Sequence, residues 1–210
     1  MLDIMTLPVT VFAQNCRLIV NQDSGNAVAC DVGGSAAEIF QLIEDNGFNL
    51  KAIVLTHGHL DHVGGAKALS ELASCPIIGP CVEDRFLFES LHEQATAFSL
   101  PDCAPFEPLY VKDGDILNFF DDASFEVIHT PGHTPGGICL YCKEESFLLS
   151  GDTLFEGSIG RTDFERGSFD DLISSIKNKL FTLPDNVDVM PGHGEDTTIG
   201  AEKASNPFVR

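Results

Sequence analysis

Apolar and polar segments alternate along the chain in a way that predicts both strands and helices. Apolar runs bounded by turn residues predict strands at 9–12, 16–20, 27–32, 52–55 and 76–79, and a strand-rich segment at 116–149. Helical spacing of apolar residues predicts helices at 35–46, 64–74, 82–98 and 170–180. Strands and helices therefore follow one another through most of the sequence.

The ends and inner faces of these helices can also be predicted. Ser35 is expected to cap the first helix, with Glu38 completing a capping box and Gly47 ending it. The inner face of the second helix is expected to carry Ala68, Leu69 and Leu72, and that of the third Phe86, Leu87, Leu91 and Ala95. The last helix is expected to turn Leu172, Ile173, Ile176 and Leu180 inward.

This order of elements predicts an α/β fold with two mixed β-sheets packed face to face and helices on the outside. The chain has 210 residues, which is enough for one α/β domain or two small ones. No linker or low-complexity run divides it, and the candidate functional residues come from both halves. We therefore expect a single domain over residues 1–210.

Charge and cysteine content narrow the possible partners and compartment. The net charge is −20 with only 12 Lys and Arg, so the surface is expected to repel nucleic acids and anionic membranes. No apolar run approaches the roughly 20 residues needed to span a bilayer, and the N-terminus does not resemble a signal peptide. Seven cysteines, an odd number, are expected to be reduced thiols, which points to the cytoplasm. Cys139 and Cys142 have C-x-x-C spacing but are expected on opposite faces of a strand.

The run 56–62, Thr-His-Gly-His-Leu-Asp-His, carries the most specific chemistry in the chain. It directly follows an apolar strand and offers three imidazoles and one carboxylate, which are ligands for zinc and iron. His57 and His59 share a direction on an extended strand end, whereas Asp61 and His62 begin the next element. One loop can therefore provide ligands for two adjacent metals.

Three later segments also place a candidate metal ligand directly after an apolar run. His133, Asp152 and His193 each follow an apolar run and are flanked by glycine. Glycine permits close backbone approach, and loops at strand ends commonly carry functional residues. Of the two remaining histidines, His92 is expected on a helix surface. His129 ends a strand, where it either orients a ligand or is a hydrogen-bonded loop residue.

This ordered set of motifs resembles the metallo-β-lactamase fold superfamily over essentially the whole chain. The resemblance implies an αββα sandwich. It also implies that a first metal is bound by His57, His59 and His133. A second metal would be bound by Asp61, His62 and His193, with Asp152 bridging both. Zinc is the expected metal, and iron and manganese accept the same ligands.

Within the superfamily, the segment from Gly151 to Phe155 and the following Gly157, Gly160 and Arg161 resemble the short bacterial glyoxalase II branch. The larger glyoxalase II enzymes, which continue into C-terminal helices that the short branch lacks, contact the glutathione carboxylate through basic residues. Arg161 and Arg210 are the matching positions for contact with a glutathione carboxylate. A salt bridge to Asp163 is the alternative for Arg161, and a frayed terminus is the alternative for Arg210.

The resemblance and the ligand charges together suggest a reaction. Two divalent ions offset by only two carboxylates are expected to ionise a bridging water near neutral pH. The resulting hydroxide would attack the carbonyl of a thioester such as S-lactoylglutathione, with Asp61, His62 and Asp152 as the catalytic residues of the centre. The thiolate leaving group needs little protonation, which favours a thioester over an amide.

Other functions remain open from the sequence. A persulfide dioxygenase would use the same ligands around one iron. A lactonase or β-lactam hydrolase would keep the hydrolytic chemistry, although lactam hydrolases often carry cysteine where Asp152 stands. A purely structural metal is disfavoured because structural zinc sites are usually closed by four ligands.

Overall fold

The structure, a computed structural model, describes residues 1–209, so the candidate substrate contact Arg210 lies outside the described residues. The first sheet has six strands in the order β1-β2-β3-β4-β5-β6. Their bounds are β1 (Leu2–Val9), β2 (Gln14–Asn21), β3 (Asn26–Cys30), β4 (Asn49–Val54), β5 (Ile77–Cys81) and β6 (Leu109–Val111). The β1–β3 strands are antiparallel and β3–β6 are parallel, so the sheet is mixed.

The second sheet also has six strands, in the order β14-β13-β10-β9-β8-β7. Along the chain come β7 (Ile116–Leu117), β8 (Phe125–His129), β9 (Ile138–Cys142), β10 (Phe147–Gly151), a small hairpin of β11 (Leu154–Phe155) and β12 (Ser158–Ile159), then β13 (Asp188–Pro191) and β14 (Thr197–Thr198). Only β10 and β13 pair in parallel.

Seven α-helices complete the part of the chain that the structure describes. They are α1 (Ala36–Asp45), α2 (Leu60–Val63), α3 (Ala66–Ala73), α4 (Arg85–Glu89), α5 (Leu91–Phe98), α6 (Phe169–Asn178) and α7 (Ile199–Ser205). None of the helices in residues 1–209 is both long and apolar enough to cross a membrane.

Three apolar layers hold these elements together. One joins the outer face of the first sheet to α1, α3 and α5, a second lies between the sheets, and a third joins the second sheet to α6 and α7. Strand β2 is buried on both faces, because Leu18 belongs to the outer layer and Ile19 to the layer between the sheets. The predicted αββα sandwich is therefore confirmed.

The N-terminal strand was predicted in the wrong place. The strand ends at Val9, and a turn follows in which Thr10 and Ala13 have positive φ. Val9 is buried in the outer layer, but Val11 is 81% exposed and Phe12 is 44% exposed, so the run beyond Val9 does not face a core. The true strand β1 lies at the edge of its sheet and has a half-exposed face, which weakens its apolar signal.

Several helix details also differ from prediction. Ser35 has φ 52° and makes no capping hydrogen bond, so the capping box is wrong, although Gly47 ends the helix as expected. In α3 the buried residues are Ala66 and Leu69, whereas Leu72 is 48% exposed. Ala68 is exposed too.

The predicted helix 82–98 is also divided. A 3-10 turn (Val82–Asp84) precedes α4, and Ser90 has non-helical angles between α4 and α5. The hydroxyl of Ser90 donates to the carbonyl of Leu87, a local bond that competes with the helix. Of the predicted inward residues, Leu87, Leu91 and Ala95 are buried. In α6, Leu172 and Ile176 are buried as predicted.

Cysteine placement follows the prediction. All seven are free and buried. Cys139 lies in the layer between the second sheet and α6, whereas Cys142 lies in the layer between the sheets. The two thiols thus face opposite sides of β9, which excludes a local redox pair.

Candidate metal centre

All seven predicted metal ligands meet at the ends of strands from both sheets. His57 and His59 follow β4, and Asp61 and His62 lie in the short helix α2. The remaining three follow β8, β10 and β13 and are His133, Asp152 and His193. Strands β8, β10 and β13 run in the same direction, so their carboxyl ends reach one edge of the sandwich.

The side chains form two adjacent groups. One ligand atom each from His57, His59 and His133 lies within 4.8 Å of the others, and so does one atom each from Asp61, His62 and His193. Asp152 lies between these groups. Its Oδ2 is 3.6 Å from Nε2 of His133 and 3.8 Å from Nε2 of His193, and its Oδ1 is 3.3 Å from Nε2 of His62.

Hydrogen bonds made by Nδ1 orient four of the five imidazoles. Nδ1 of His133 donates to the carbonyl of Arg161 at 2.7 Å, and Nδ1 of His193 lies 3.2 Å from the carbonyl of Phe12. A carbonyl oxygen can only accept, so in both rings Nδ1 carries a proton, and in the neutral ring the lone pair is therefore on Nε2. Nε2 is the atom that faces the centre in each case.

The rings of His57 and His62 are oriented through one carboxylate, Asp31. Nδ1 of His62 lies 2.9 Å from Oδ2 of Asp31, and Nδ1 of His57 lies 3.0 Å from the hydroxyl of Thr56. That hydroxyl donates to Asp31 at 2.7 Å, as does the backbone N–H of Thr56. A buried carboxylate therefore fixes the tautomer of both rings, one directly and one through a hydroxyl.

His59 directs its Nδ1, rather than its Nε2, toward the ring of His133. Its Nδ1 lies 2.9 Å from Nε2 of His133, and its ring packs against Phe164 with centroids 5.0 Å apart. Since Nε2 of His133 carries a lone pair, the two nitrogens converge on a point where a proton or a cation must lie.

The pKa values of the histidines and carboxylates in the centre favour the binding of positive ions. Burial opposes charge on His62, but the surrounding carboxylates, Asp152 first, raise its pKa well above the usual value. Burial also disfavours charge on Asp152, yet the nearby imidazoles, His62 first, hold its pKa well below the usual range. Burial lowers the pKa of His59 to about 3, so this ring is neutral at pH 7. Ionised carboxylates and neutral imidazoles are the forms that bind metals, so a bound cation would displace the proton that the carboxylates favour on His62.

Two buried atoms of the centre lack a hydrogen-bond partner within residues 1–209. These are Nε2 of His57 and Oδ1 of Asp152. An unpaired buried polar atom is costly, and a bound cation would satisfy both. The donor set, all imidazole nitrogen and carboxylate oxygen, fits a divalent ion of the zinc or iron type.

Glycine keeps the space around these atoms open. A Cβ on Gly192 would lie 2.5 Å from both Oδ1 of Asp152 and Cε1 of His62. A Cβ on Gly58 would lie 2.7 Å from Cβ of Leu87. Close approach therefore requires glycine at 58 and 192, whereas a Cβ on Gly194 would meet open space.

A cavity of about 420 Å³ opens above the centre. Its wall is largely apolar and is formed by Phe12, Phe98, Leu100 and Phe164, with Gln94 and Arg161 also lining it. The aromatic rings contact each other edge to face, with Phe98 6.4 Å from Phe12 and 6.0 Å from Phe164. The opening is thus bordered by three aromatic side chains, of which Phe98 contacts the other two.

Arg161 makes the salt bridge to Asp163 that the sequence offered as the alternative to a substrate contact. Its Nε and Nη2 donate to the two carboxylate oxygens of Asp163 at 2.6 and 2.7 Å, and its guanidinium lies 4.1 Å from the ring centroid of Phe164. It also lines the cavity. Arg161 is therefore within reach of a ligand, but a neighbouring acid already neutralises it.

Sequence reasoning missed two carboxylates that support the centre. Asp31 follows β3 with a positive φ of 55°, and its Asp-x-Gly-Gly context was the only local signal. Asp84 is fully buried and accepts hydrogen bonds from the backbone of Gly58 and Gly136 and from the hydroxyl of Thr134. It thereby joins the loop of His57 and His59 to the loop of His133.

Comparison with known proteins agrees with this geometry. The sequence model of the metallo-beta-lactamase superfamily matches residues 9–193. The chain is 49% identical over 210 residues to a Haemophilus influenzae protein named hydroxyacylglutathione hydrolase GloC, covering 99% of this chain and 98% of that protein.

Two solved structures are similar over nearly the full length. The BLEG-1 B3 metallo-beta-lactamase is 33% identical with a TM-score of 0.91, covering 99% of both chains. TTHA1623, solved in a di-iron-bound form, is 33% identical with a TM-score of 0.87, covering 97% of this chain and 99% of that one. On these grounds, the chain belongs to the metallo-beta-lactamase superfamily.

Proposed function

We propose that this metal-dependent hydrolase is a dinuclear thioesterase that hydrolyses a hydroxyacylglutathione or a related thioester. The observation that carries the proposal is the pair of adjacent ligand groups, separated by Asp152, beneath an apolar cavity. The name of the Haemophilus relative supports the substrate class.

The ligands are proposed as the sequence predicted them. His57, His59 and His133 would hold one ion. Asp61, His62 and His193 would hold the other, and Asp152 would contact both. Zinc is proposed because its ligands in proteins are of these kinds, and the di-iron form of a similar structure supports iron as the alternative. Two such ions would supply an ionised water and polarise a carbonyl oxygen.

The residues of the chain complete the site. Asp152 and Asp61 remain ionised, since neighbouring imidazoles lower the pKa of both against the effect of burial. The aromatic wall would hold the thioester and exclude water from it. Arg161, at the side of the cavity, is the proposed contact for a substrate carboxylate. We further propose that residues 1–210 act as one domain in the cytoplasm, without a nucleic-acid or membrane partner.

A second candidate is β-lactam hydrolysis, which is favoured by the similarity to BLEG-1. The test compares initial rates of protein with measured metal content on S-D-lactoylglutathione, on a chromogenic cephalosporin and on a simple lactone. We expect the thioester to have the highest kcat/KM. A higher kcat/KM on the cephalosporin would replace the thioesterase proposal with the second candidate. Oxygen uptake with glutathione persulfide would replace both.

A further inference from the structure

A second group of metal-ligand side chains lies away from the candidate centre. It consists of Cys81, Glu83 and His129, hereafter the Cys81 cluster, and one ligand atom of each lies within 4.8 Å of the others. Cys81 ends β5 of the first sheet and His129 ends β8 of the second, while Glu83 lies in the 3-10 turn that follows β5. The cluster therefore spans the two sheets.

The imidazole of His129 is held in place by its surroundings. Its Nε2 lies 2.8 Å from the carbonyl of Pro135, which can only accept, so Nε2 carries the proton and Nδ1 keeps a lone pair. The backbone N–H of His129 donates to Asp113 at 2.7 Å, and its carbonyl accepts from Lys179 at 2.8 Å. A ring N–H bound to a backbone carbonyl is the usual support of a metal-binding histidine.

The charges around the cluster favour a cation. Burial and four nearby carboxylates raise the pKa of the Cys81 thiol to about 12; the carboxylates are Glu83, Asp84, Asp113 and Asp115. Lys179 opposes them in part, because it pairs with Asp113 at 3.1 Å. Cys81 itself is 4% exposed, whereas Glu83 is exposed, so an ion bound here would remain accessible from the Glu83 side.

We propose that Cys81, Glu83 and His129 bind one divalent ion of borderline character, such as zinc. Sulfur, imidazole nitrogen and carboxylate oxygen together suit zinc or cobalt, whereas magnesium and calcium require oxygen ligands. Binding would release the thiol proton of Cys81 to solvent and form a sulfur–metal bond. The ion would tie β5 to β8 four residues before His133. The site is independent of the proposed function, since it shares no residue with the candidate metal centre.

Cobalt(II) tests the site directly, because thiolate–cobalt bonds give a charge-transfer absorption in the near ultraviolet. Among the described residues, no cysteine belongs to the ligand groups of the candidate centre, so a thiolate band does not arise from that centre. Metal-loaded protein would be titrated with cobalt(II) at neutral pH. We expect the band to appear and to saturate at about one added equivalent per chain.

Variants distinguish this site from chance binding. Cys81→Ser should abolish the absorption band, and His129→Gln should weaken cobalt binding by more than about tenfold. Cys75→Ser changes a buried cysteine elsewhere and should leave the band unchanged. Glu83→Gln should weaken binding without affecting the fold, because Glu83 is exposed. Absence of the band in the unmodified protein, or its persistence with equal affinity in both His129→Gln and Glu83→Gln, would overturn the proposal.

Discussion

Oδ2 of Asp31 lies 2.9 Å from Nδ1 of His62, and the same oxygen accepts the hydroxyl of Thr56, to which His57 is hydrogen-bonded. One carboxylate thus controls an imidazole in each of the two ligand groups. This arrangement explains why a residue 26 positions before His57 is nearly inaccessible to solvent, at 2% exposure.

Asp31→Asn is expected to weaken metal binding and to lower kcat together. The amide can no longer accept from all of its partners, so the tautomers of His57 and His62 are no longer fixed. We expect a loss of about 10- to 100-fold in metal affinity, measured by competition with a chelator. Thr56→Ser keeps the linking hydroxyl and should retain activity. Equal affinity in Asp31→Asn and the unmodified protein would contradict this role.

Gly192→Ala is expected to disturb the centre rather than the fold. The added methyl would lie 2.5 Å from Oδ1 of Asp152, so metal content per chain should fall while circular dichroism is unchanged. Gly194→Ala is the matched control. Its methyl meets open space, and its positive φ costs only about 1–2 kcal/mol. Full metal content in Gly192→Ala would show that the centre tolerates the methyl.

The raised pKa of Asp84 predicts that the free energy of unfolding depends on pH. Burial raises its pKa from 3.8 to about 6, so the folded protein holds this proton more tightly than the unfolded chain does. The stabilisation is therefore complete below about pH 4 and is lost as the pH rises through about 6, with a total of about 3 kcal/mol. The variant Asp84→Asn does not titrate at this position.

The measurement is denaturant unfolding of both proteins at several pH values. The unfolding free energy of the unmodified protein, minus that of Asp84→Asn, should decrease between pH 4 and pH 7. A constant difference would contradict the raised pKa. The constant part of the difference reports the hydrogen bonds to Gly58, Thr134 and Gly136 that the amide cannot all accept.

We expect alanine substitutions of Arg161 and Asp163 to have opposite effects on substrate affinity. Arg161→Ala removes a cation from the side of the cavity, whereas Asp163→Ala frees that cation from its present partner. KM for a glutathione thioester should rise by about two- to fivefold in the first variant and fall in the second. A thioester of a neutral thiol is the control. If both substrates respond alike, Arg161 does not contact the glutathione carboxylate.

The seven candidate ligands can be picked out from the sequence because each is marked locally. His57 to His62 stand in one short run, and His133, Asp152 and His193 each combine a strand end with glycine. Asp84 carries no such mark, and Asp31 carries only the Asp-x-Gly-Gly context after β3. Asp31 meets its partner Thr56 25 positions further on, and Asp84 meets Gly136 52 positions further on. Only the fold brings these pairs together.

Two wrong predictions about the fold, strand 9–12 and helix 82–98, also have specific causes. The 9–12 run is apolar, yet Phe12 lines the cavity rather than a core. Helix 82–98 has continuous helical spacing, but Ser90 bonds to its own preceding turn. In both places the local structure depends on a cavity or a hydrogen bond that cannot be inferred from the apolar pattern.

The central claim, a dinuclear hydrolytic centre, is tested most directly by metal reconstitution. Protein stripped by a chelator is titrated with zinc, and the rate of S-D-lactoylglutathione hydrolysis is followed against the metal bound per chain. The Cys81→Ser variant is used in parallel, so that only the candidate centre contributes. The account predicts that activity rises until two ions are bound and that Asp152→Ala remains inactive. Turnover by the stripped protein, or full turnover by Asp152→Ala, would contradict it.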